Sequence, residues 1–204
     1  LGLEIQQRLA YSGIQTKPAP VSDGEEGPVQ PIPVGKGDKE ILSQNGKPIR
    51  MQGFANGRKQ YDLNAQRLVI SQGERSAAGE KIGGVLLGKD GVATLRFTAD
   101  QAIMDQLTKN LDVQGRVRVQ SLDPKNPVLF ETQGVHWQAA EEKLQCNTPV
   151  QVTQPGVVLR ANKMTADVRL KKLSLAGGIY LEADANKVKK NLELLQGLAK
   201  KGGQ

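Results

Sequence analysis

Between about Asn45 and Leu181, apolar residues recur at every second position in short runs broken by Gly, Asn or Pro. Successive side chains of a strand point to opposite faces, so this pattern predicts an all-β domain of short alternating strands. The clearest runs are Leu111, Val113, Val117 and Val119; Leu144, Cys146, Val150 and Val152; and Leu173, Leu175, Ile179 and Leu181. Within each run the apolar side chains share one face. Gly115, Thr148 with Pro149, and Gly177 with Gly178 fall between the two halves of each run, where a strand bends or bulges. Arg116, Arg118, Gln145, Gln151, Arg169 and Lys171 take the intervening positions and are expected to face water.

The flanks read differently. Leu1, Ile5 and Leu9 lie at helical spacing, and residues 16–37 hold five prolines among acidic residues and glycines. Residues 1–44 are therefore expected to be a short helix and an extended linker that buries no core. Residues 45–182 form the β-domain. In residues 183–204, Val188, Leu192, Leu195 and Ala199 lie on one face of an amphipathic, Lys-rich helix. The start at Leu1 reads as processed or trimmed, with an anchor or signal expected upstream.

Three segments of the β-domain superimpose: "LRFTADQAIMDQLTKNLDVQGRVRVQ", "VLFETQGVHWQAAEEKLQCNTPVQVT" and "VVLRANKMTADVRLKKLSLAGGIYLE". Phe97, Phe130 and Leu159 correspond. So do Ala99, Thr132 and Ala161; Ala102, Val135 and Met164; Leu111, Leu144 and Leu173; Val117, Val150 and Ile179; and Val119, Val152 and Leu181. A weaker copy precedes them, in which Leu63, Ala65 and Leu68 match Phe97, Ala99 and Ala102. Repeats of this length indicate a stacked architecture. One copy alone leaves its apolar face half exposed, and stacking copies edge to edge makes a continuous apolar face.

The repeat also disposes of an apparent site. The only His (His136), Trp (Trp137) and Cys (Cys146) bunch within residues 129–152. Cys146 takes the place of Val113 and Leu175, which makes it a small buried hydrophobe. His136 has no second His with which to hold a metal, and Trp137 aligns with Met104 and Ala166 as a packing residue. Glu141 and Glu142 are adjacent, hence on opposite faces of a strand or in a turn. "GKDG" at 88–91 is a hairpin turn, and "GEKIGG" at 79–84 lacks the ending of a phosphate loop. No enzyme and no cofactor are expected. The formal net charge is +7, but aromatics make up only 3 %, too few for base stacking. No nucleic-acid partner is expected.

The phrases "YDLNAQRLVI", "LFETQGVHW", "LQCNTPVQV" and "VVLRANKMTADVRLKKLSLAGGIYLEA" resemble the Leu-x-Thr/Ala, Pro-Val-x-Val and Leu-x-Gly-x-Val phrases of the LptC/OstA-like proteins. These are periplasmic components of the lipopolysaccharide-transport bridge. "GFANGRKQYDLNAQRL" is similar to the start of the LptC domain. The resemblance covers roughly residues 45–182. It implies a curved antiparallel β-jellyroll, open along one edge, with an apolar groove for acyl chains. It implies lipopolysaccharide or a related lipid as cargo, partner jellyrolls joined by strand addition, an inner-membrane transporter as a further partner, and a periplasmic location with an N-terminal membrane anchor. The Pro-rich linker and the C-terminal helix have no counterpart in that pattern.

Thirteen residues are expected to face inward and line such a groove: Phe97, Leu111, Val117, Phe130, Val135, Leu144, Val150, Val152, Leu159, Leu173, Leu175, Ile179 and Leu181. Burying a CH₂ group is worth about 0.8 kcal/mol, so a twelve-carbon chain gains on the order of 9 kcal/mol before ordering costs. Repeated apolar layers let such a chain slide between equivalent positions. The same thirteen residues also suit a dry core in a structural scaffold or adaptor without cargo. Arg116, Arg118, Arg160, Lys163, Arg169, Lys171 and Lys172 suit either a lipid-phosphate rim or a solvated edge that discourages wrong strand pairing.

Overall fold

The computed structural model of the chain describes residues 29–184 except Asn56. Their strands in chain order are β1 (Lys39–Leu42), β2 (Ile49–Ala55), β3 (Arg58–Ala65), β4 (Arg67–Ile70), β5 (Ser76–Leu87), β6 (Ala93–Asp105) and β7 (Leu111–Ser121). There follow β8 (Leu129–Gln138), β9 (Lys143–Cys146), β10 (Val150–Gln154), β11 (Val157–Ala161), β12 (Lys163–Asp167), β13 (Leu173–Ala176) and β14 (Tyr180–Ala183). Among the described residues there is no helix, and every strand pairing is antiparallel. The helices expected at 1–15 and over 183–204 lie outside these residues, apart from Ala183 at the end of β14 and Asp184 after it.

Four long strands, β5 to β8, form the spine, and each is bent near its middle. In β5 the bend lies at Lys81, whose φ is 51°. Register shifts mark it between Thr98 and Gln101 in β6 and between Gln114 and Val117 in β7. Gly115 sits there with a φ of 86°. That value is easy for glycine and strained for other residues. Beyond the bend the two halves of the spine take different neighbours. One half-sheet runs β1-β4-β5-β6-β7-β8-β9-β12-β13, and the other runs β2-β3-β5-β6-β7-β8-β10-β11-β14. The result is an open antiparallel jellyroll: two half-sheets facing each other across one shared corner.

The outer strands meet the same corner with turn chemistry. Thr148 and Pro149 separate β9 from β10, Asn162 separates β11 from β12, and Gly177 and Gly178 separate β13 from β14. The bends expected at Gly115, Thr148-Pro149 and Gly177-Gly178 are all present. Arg169 and Lys171, expected on a strand, lie instead in the turn between β12 and β13.

The sheet begins at Lys39, ahead of the boundary expected at residue 45. The alternation signal cannot reveal β1, because all four of its residues are exposed. It is an edge strand held by β4 alone, so no face of it needs to be apolar. Before it, residues 30–32 cross the outer face of the first half-sheet. Ile32 N donates to Glu80 Oε1 at 2.7 Å, and Gln101 Nε2 donates to the carbonyl of Gln30 at 2.6 Å.

Candidate functional site

The inner faces carry the repeat as rows of paired residues. In the second half-sheet one row runs Met51, Leu63, Gly84, Phe97, Val119, Phe130, Val152, Leu159, Leu181, each opposite the next. A neighbouring row runs Val117, Thr132, Val150, Ala161. In the first half-sheet the matching row runs Ile70, Ala77, Met104, Leu111, Trp137, Leu144, Ala166, Leu173. The aligned sets Phe97, Phe130, Leu159; Val119, Val152, Leu181; and Leu111, Leu144, Leu173 therefore fall in shared rows, whereas Ile179 precedes β14 and does not continue the row of Val117 and Val150. Side chains in one row stand side by side on one face, so the rows are apolar stripes, broken at Thr132 by a hydroxyl.

The two faces meet. Tyr61 on the second half-sheet lies edge-on to Trp137 on the first, with centroids 5.9 Å apart and planes at 82°. The Tyr61 hydroxyl donates to Met104 Sδ across the seam, and burial pushes that phenol up to about 12. Gly84 keeps its row level, since a Cβ there would lie 2.4 Å from the carbonyl oxygen of Asp62. A void of about 10 Å³ lies in the seam, lined by apolar side chains including Leu86, Phe97, Val119 and Trp137. That is at the lower limit for a single water and far below what an acyl chain needs. In this conformation the interior is filled.

Of the thirteen residues expected to line a groove, Phe97, Leu111, Val117, Phe130, Val135, Leu144, Val150, Val152, Leu159 and Leu173 are buried in this seam, and Leu175 is half-buried at its end. Ile179 and Leu181, expected to line the open groove with the rest, are 58 % and 59 % exposed. Leu181 continues the row beyond Leu159, and β14 is the last strand of the described sheet on that side. Ile179 lies just before β14, between it and the turn. Tyr61, Leu86, Val113, Val119 and Trp137 belong to the seam as well. Val113 and Val119 were legible from their alternation, whereas Leu86 sits in a stretch whose repeat signal is lost among glycines.

Cys146 is 1 % exposed, and burial pushes its thiol up to about 12, which suits a packing residue. Trp137 is equally buried, and its Nε1 has no hydrogen-bond partner. His136 lies on the outer face, its Nδ1 2.6 Å from Asp112 Oδ1. Among the described residues no group of His, Cys, Asp and Glu is placed to hold a metal ion.

The corner is polar and tightly tied. Asp100 accepts from the backbone N of Arg116 at 3.0 Å, from Arg116 Nε at 3.1 Å and Nη2 at 3.0 Å, and from Lys81 Nζ at 3.3 Å. The guanidinium of Arg116 above all holds the Asp100 carboxyl well below the usual carboxylate range. Next along the corner, the Thr132 and Thr148 hydroxyls lie 2.8 Å apart, and Thr132 donates to the carbonyl of Pro149 at 2.8 Å. Several expected rim cations have neighbours in the chain. Arg160 bonds Gln151 at 2.9 Å and lies over the Tyr180 ring, Arg169 pairs with Asp90, and Arg118 approaches Glu131. Lys163, Lys171 and Lys172 are exposed.

The family profile described as "Lipopolysaccharide-assembly, LptC-related" matches residues 40–180. No match is found among curated protein sequences. Among solved structures the chain is similar to LptH, the LptA-homologous periplasmic component of the lipopolysaccharide transport device of Pseudomonas aeruginosa. The identity is 9 %, the TM-score 0.49, and the match covers 60 % of this chain and 93 % of that one.

Proposed function

The chain belongs to the LptC-related lipopolysaccharide-assembly family, and from that premise we propose that it is a non-enzymatic, periplasmic component of a lipid-transport bridge. Its cargo is lipopolysaccharide or a related lipid, whose acyl chains enter the seam between the half-sheets. The observation that carries this reading is the apolar row from Leu63 through Phe97, Phe130 and Val152 to Leu181, which crosses the molecule and ends exposed at β14. An acyl chain leaving a neighbouring jellyroll meets Leu181 and Ile179 first and finds like surface all the way inward. Equivalent rows give nearly equal binding at each step, so the chain slides at little net cost while its sugar head stays in water.

Among the described residues β13 and β14 are the edge strands at one end, and β1 and β2 those at the other. Strand addition at such edges joins a partner jellyroll and continues both half-sheets. The exposed Ile179 and Leu181 would then be covered by the partner's first row. The residues expected to anchor the chain at the inner membrane, beside a transporter, are not among those described.

The filled interior, with its void of about 10 Å³, favours a second reading: a scaffold that presents its edges and carries no lipid. Photo-crosslinking separates the two. A photoreactive residue at Val150, in the buried row, or at Leu175, at its end, is expected to label co-expressed lipopolysaccharide. Labelling at neither position, with partner jellyrolls still bound, rejects the lipid path and leaves the scaffold.

A further inference from the structure

The two half-sheets are joined at the corner and free at their far ends, so together they form a mouth. The far end of the first half-sheet includes the turn between β12 and β13, residues 168–172. The far end of the second includes the turn at 88–92, between β5 and β6, and that at 122–128, between β7 and β8. Among the described residues two polar contacts span the mouth, and both come from the 168–172 turn. Arg169 Nη2 donates to Asp90 Oδ2 at 2.8 Å, and Asn126 Nδ2 donates to the carbonyl of Leu170 at 3.2 Å. Between these contacts Leu170 is driven inward and is 0 % exposed, with Val128 and Val168 also buried.

The charged part of this closure is lightly held. The Arg169 and Asp90 side chains are 44 % and 48 % exposed, a setting in which an ion pair contributes little. Leu170 inserts its side chain from a left-handed backbone with a φ of 51°, a conformation that disfavours a residue with a Cβ. Its N–H donates to the carbonyl of Asp167, and Asp167 Oδ1 accepts from the N–H groups of Arg169 and Lys171, so the turn is preformed as a unit. Such a unit can swing away from the second half-sheet without breaking a strand pairing.

We propose that residues 168–172 are a latch that holds the mouth shut over the apolar seam and must release before an acyl chain enters. The inference rests on the lipid reading for its purpose, and on the contacts across the mouth for its mechanics. It accounts for a seam that is apolar throughout and yet filled.

Trp137, the only Trp of the chain, lines the seam and reports its opening without any lipid. Acrylamide quenching of its fluorescence in the full chain is the test. Arg169→Glu is expected to raise the open fraction by up to about fivefold, the worth of one exposed ion pair. Leu170→Ala is expected to raise it further, with far-ultraviolet circular dichroism and cooperative melting retained. The charge swap Asp90→Arg with Arg169→Asp restores quenching to the parent level. Unchanged quenching in both folded single variants, or failure of the swap to restore it, overturns the latch. Should Leu170→Ala not fold, Arg169→Glu and the swap decide alone. Lipopolysaccharide labelling from position 150 in the same variants separates the two ideas. Quenching that rises without labelling keeps the latch and rejects the lipid path. Labelling in the parent chain, with quenching unmoved by any variant, keeps the lipid path and rejects the latch.

Discussion

The corner and the mouth of the jellyroll close the same apolar interior by different physics. At the corner, Asp100 is mostly shielded and gathers two cations and a backbone N–H, and Thr132 and Thr148 tie neighbouring strands. The bent strands pass through it without interruption. At the mouth, the buried side chains of Leu170, Val168 and Val128, one carbonyl contact and one half-exposed ion pair hold two ends that share no strand. Charge-assisted bonds to a shielded carboxylate are strong, and exposed ion pairs are weak. A structure closed in this way bends at one side only. The corner is the hinge, and the mouth is where the halves part.

The largest effect is expected from crowding the corner. Gly115→Ala forces a left-handed backbone, costing about 1–2 kcal/mol. It also sets a Cβ 2.6 Å from the Cβ of Asp100. The total loss is expected to exceed about 2 kcal/mol, read as a lower urea midpoint at unchanged slope. Gly73→Ala is the control. Gly73 has a φ of 82° but nothing within 4 Å of an added Cβ, so only the backbone cost of about 1–2 kcal/mol remains. Equal losses at the two glycines would show that the Asp100 cluster tolerates displacement, and the corner would not be the rigid side.

A smaller effect follows from acid. The folded state lowers the Asp100 pKa, through Arg116 first, so Asp100 adds stability that is present above about pH 4 and lost as pH falls below it. The melting temperature of the parent chain is expected to fall steeply below that pH, and that of Asp100→Asn less steeply. Asp62, held down by Arg50 and Lys59 in the same way, keeps part of the slope in the variant. Identical slopes in both proteins would remove Asp100 from the account of the corner.

The same contrast explains what the sequence could disclose. The period of two survives in every row, so Leu111, Leu144 and Leu173, or Val119, Val152 and Leu181, could be placed on one face without coordinates. Gly115, Thr148-Pro149 and Gly177-Gly178 announced the corner because bends need particular residues. Alternation tells which face a residue takes and is silent on whether a strand lies beyond it. Hence Ile179 and Leu181 read as inward-facing like the rest, although no described strand lies beyond β14. The Asp100 cluster depends on the register that brings Lys81 and Arg116 beside it, and no local signal encodes that. Whether two apolar faces touch or stand apart is a property of the bend angle. The filled seam was therefore illegible, and so was the turn at 168–172, whose Val168 and Leu170 imitate one more strand.

The smallest effect belongs to the mouth. Arg169→Ala removes the ion pair to Asp90 but leaves Leu170 buried and every strand pairing in place. A pair this exposed is worth about 0–1 kcal/mol, so the urea midpoint should move little. What remains should vanish in about 1 M salt, where the screening length drops to about 3 Å. The backbone N–H of Leu170, bonded to Asp167 within the turn, should keep its hydrogen-exchange protection, because the turn swings as a unit. A salt-independent loss of about 2 kcal/mol or more would put Arg169 on a par with the corner contacts. The mouth would then be as firmly closed as the hinge, and the half-sheets would have no side on which to open.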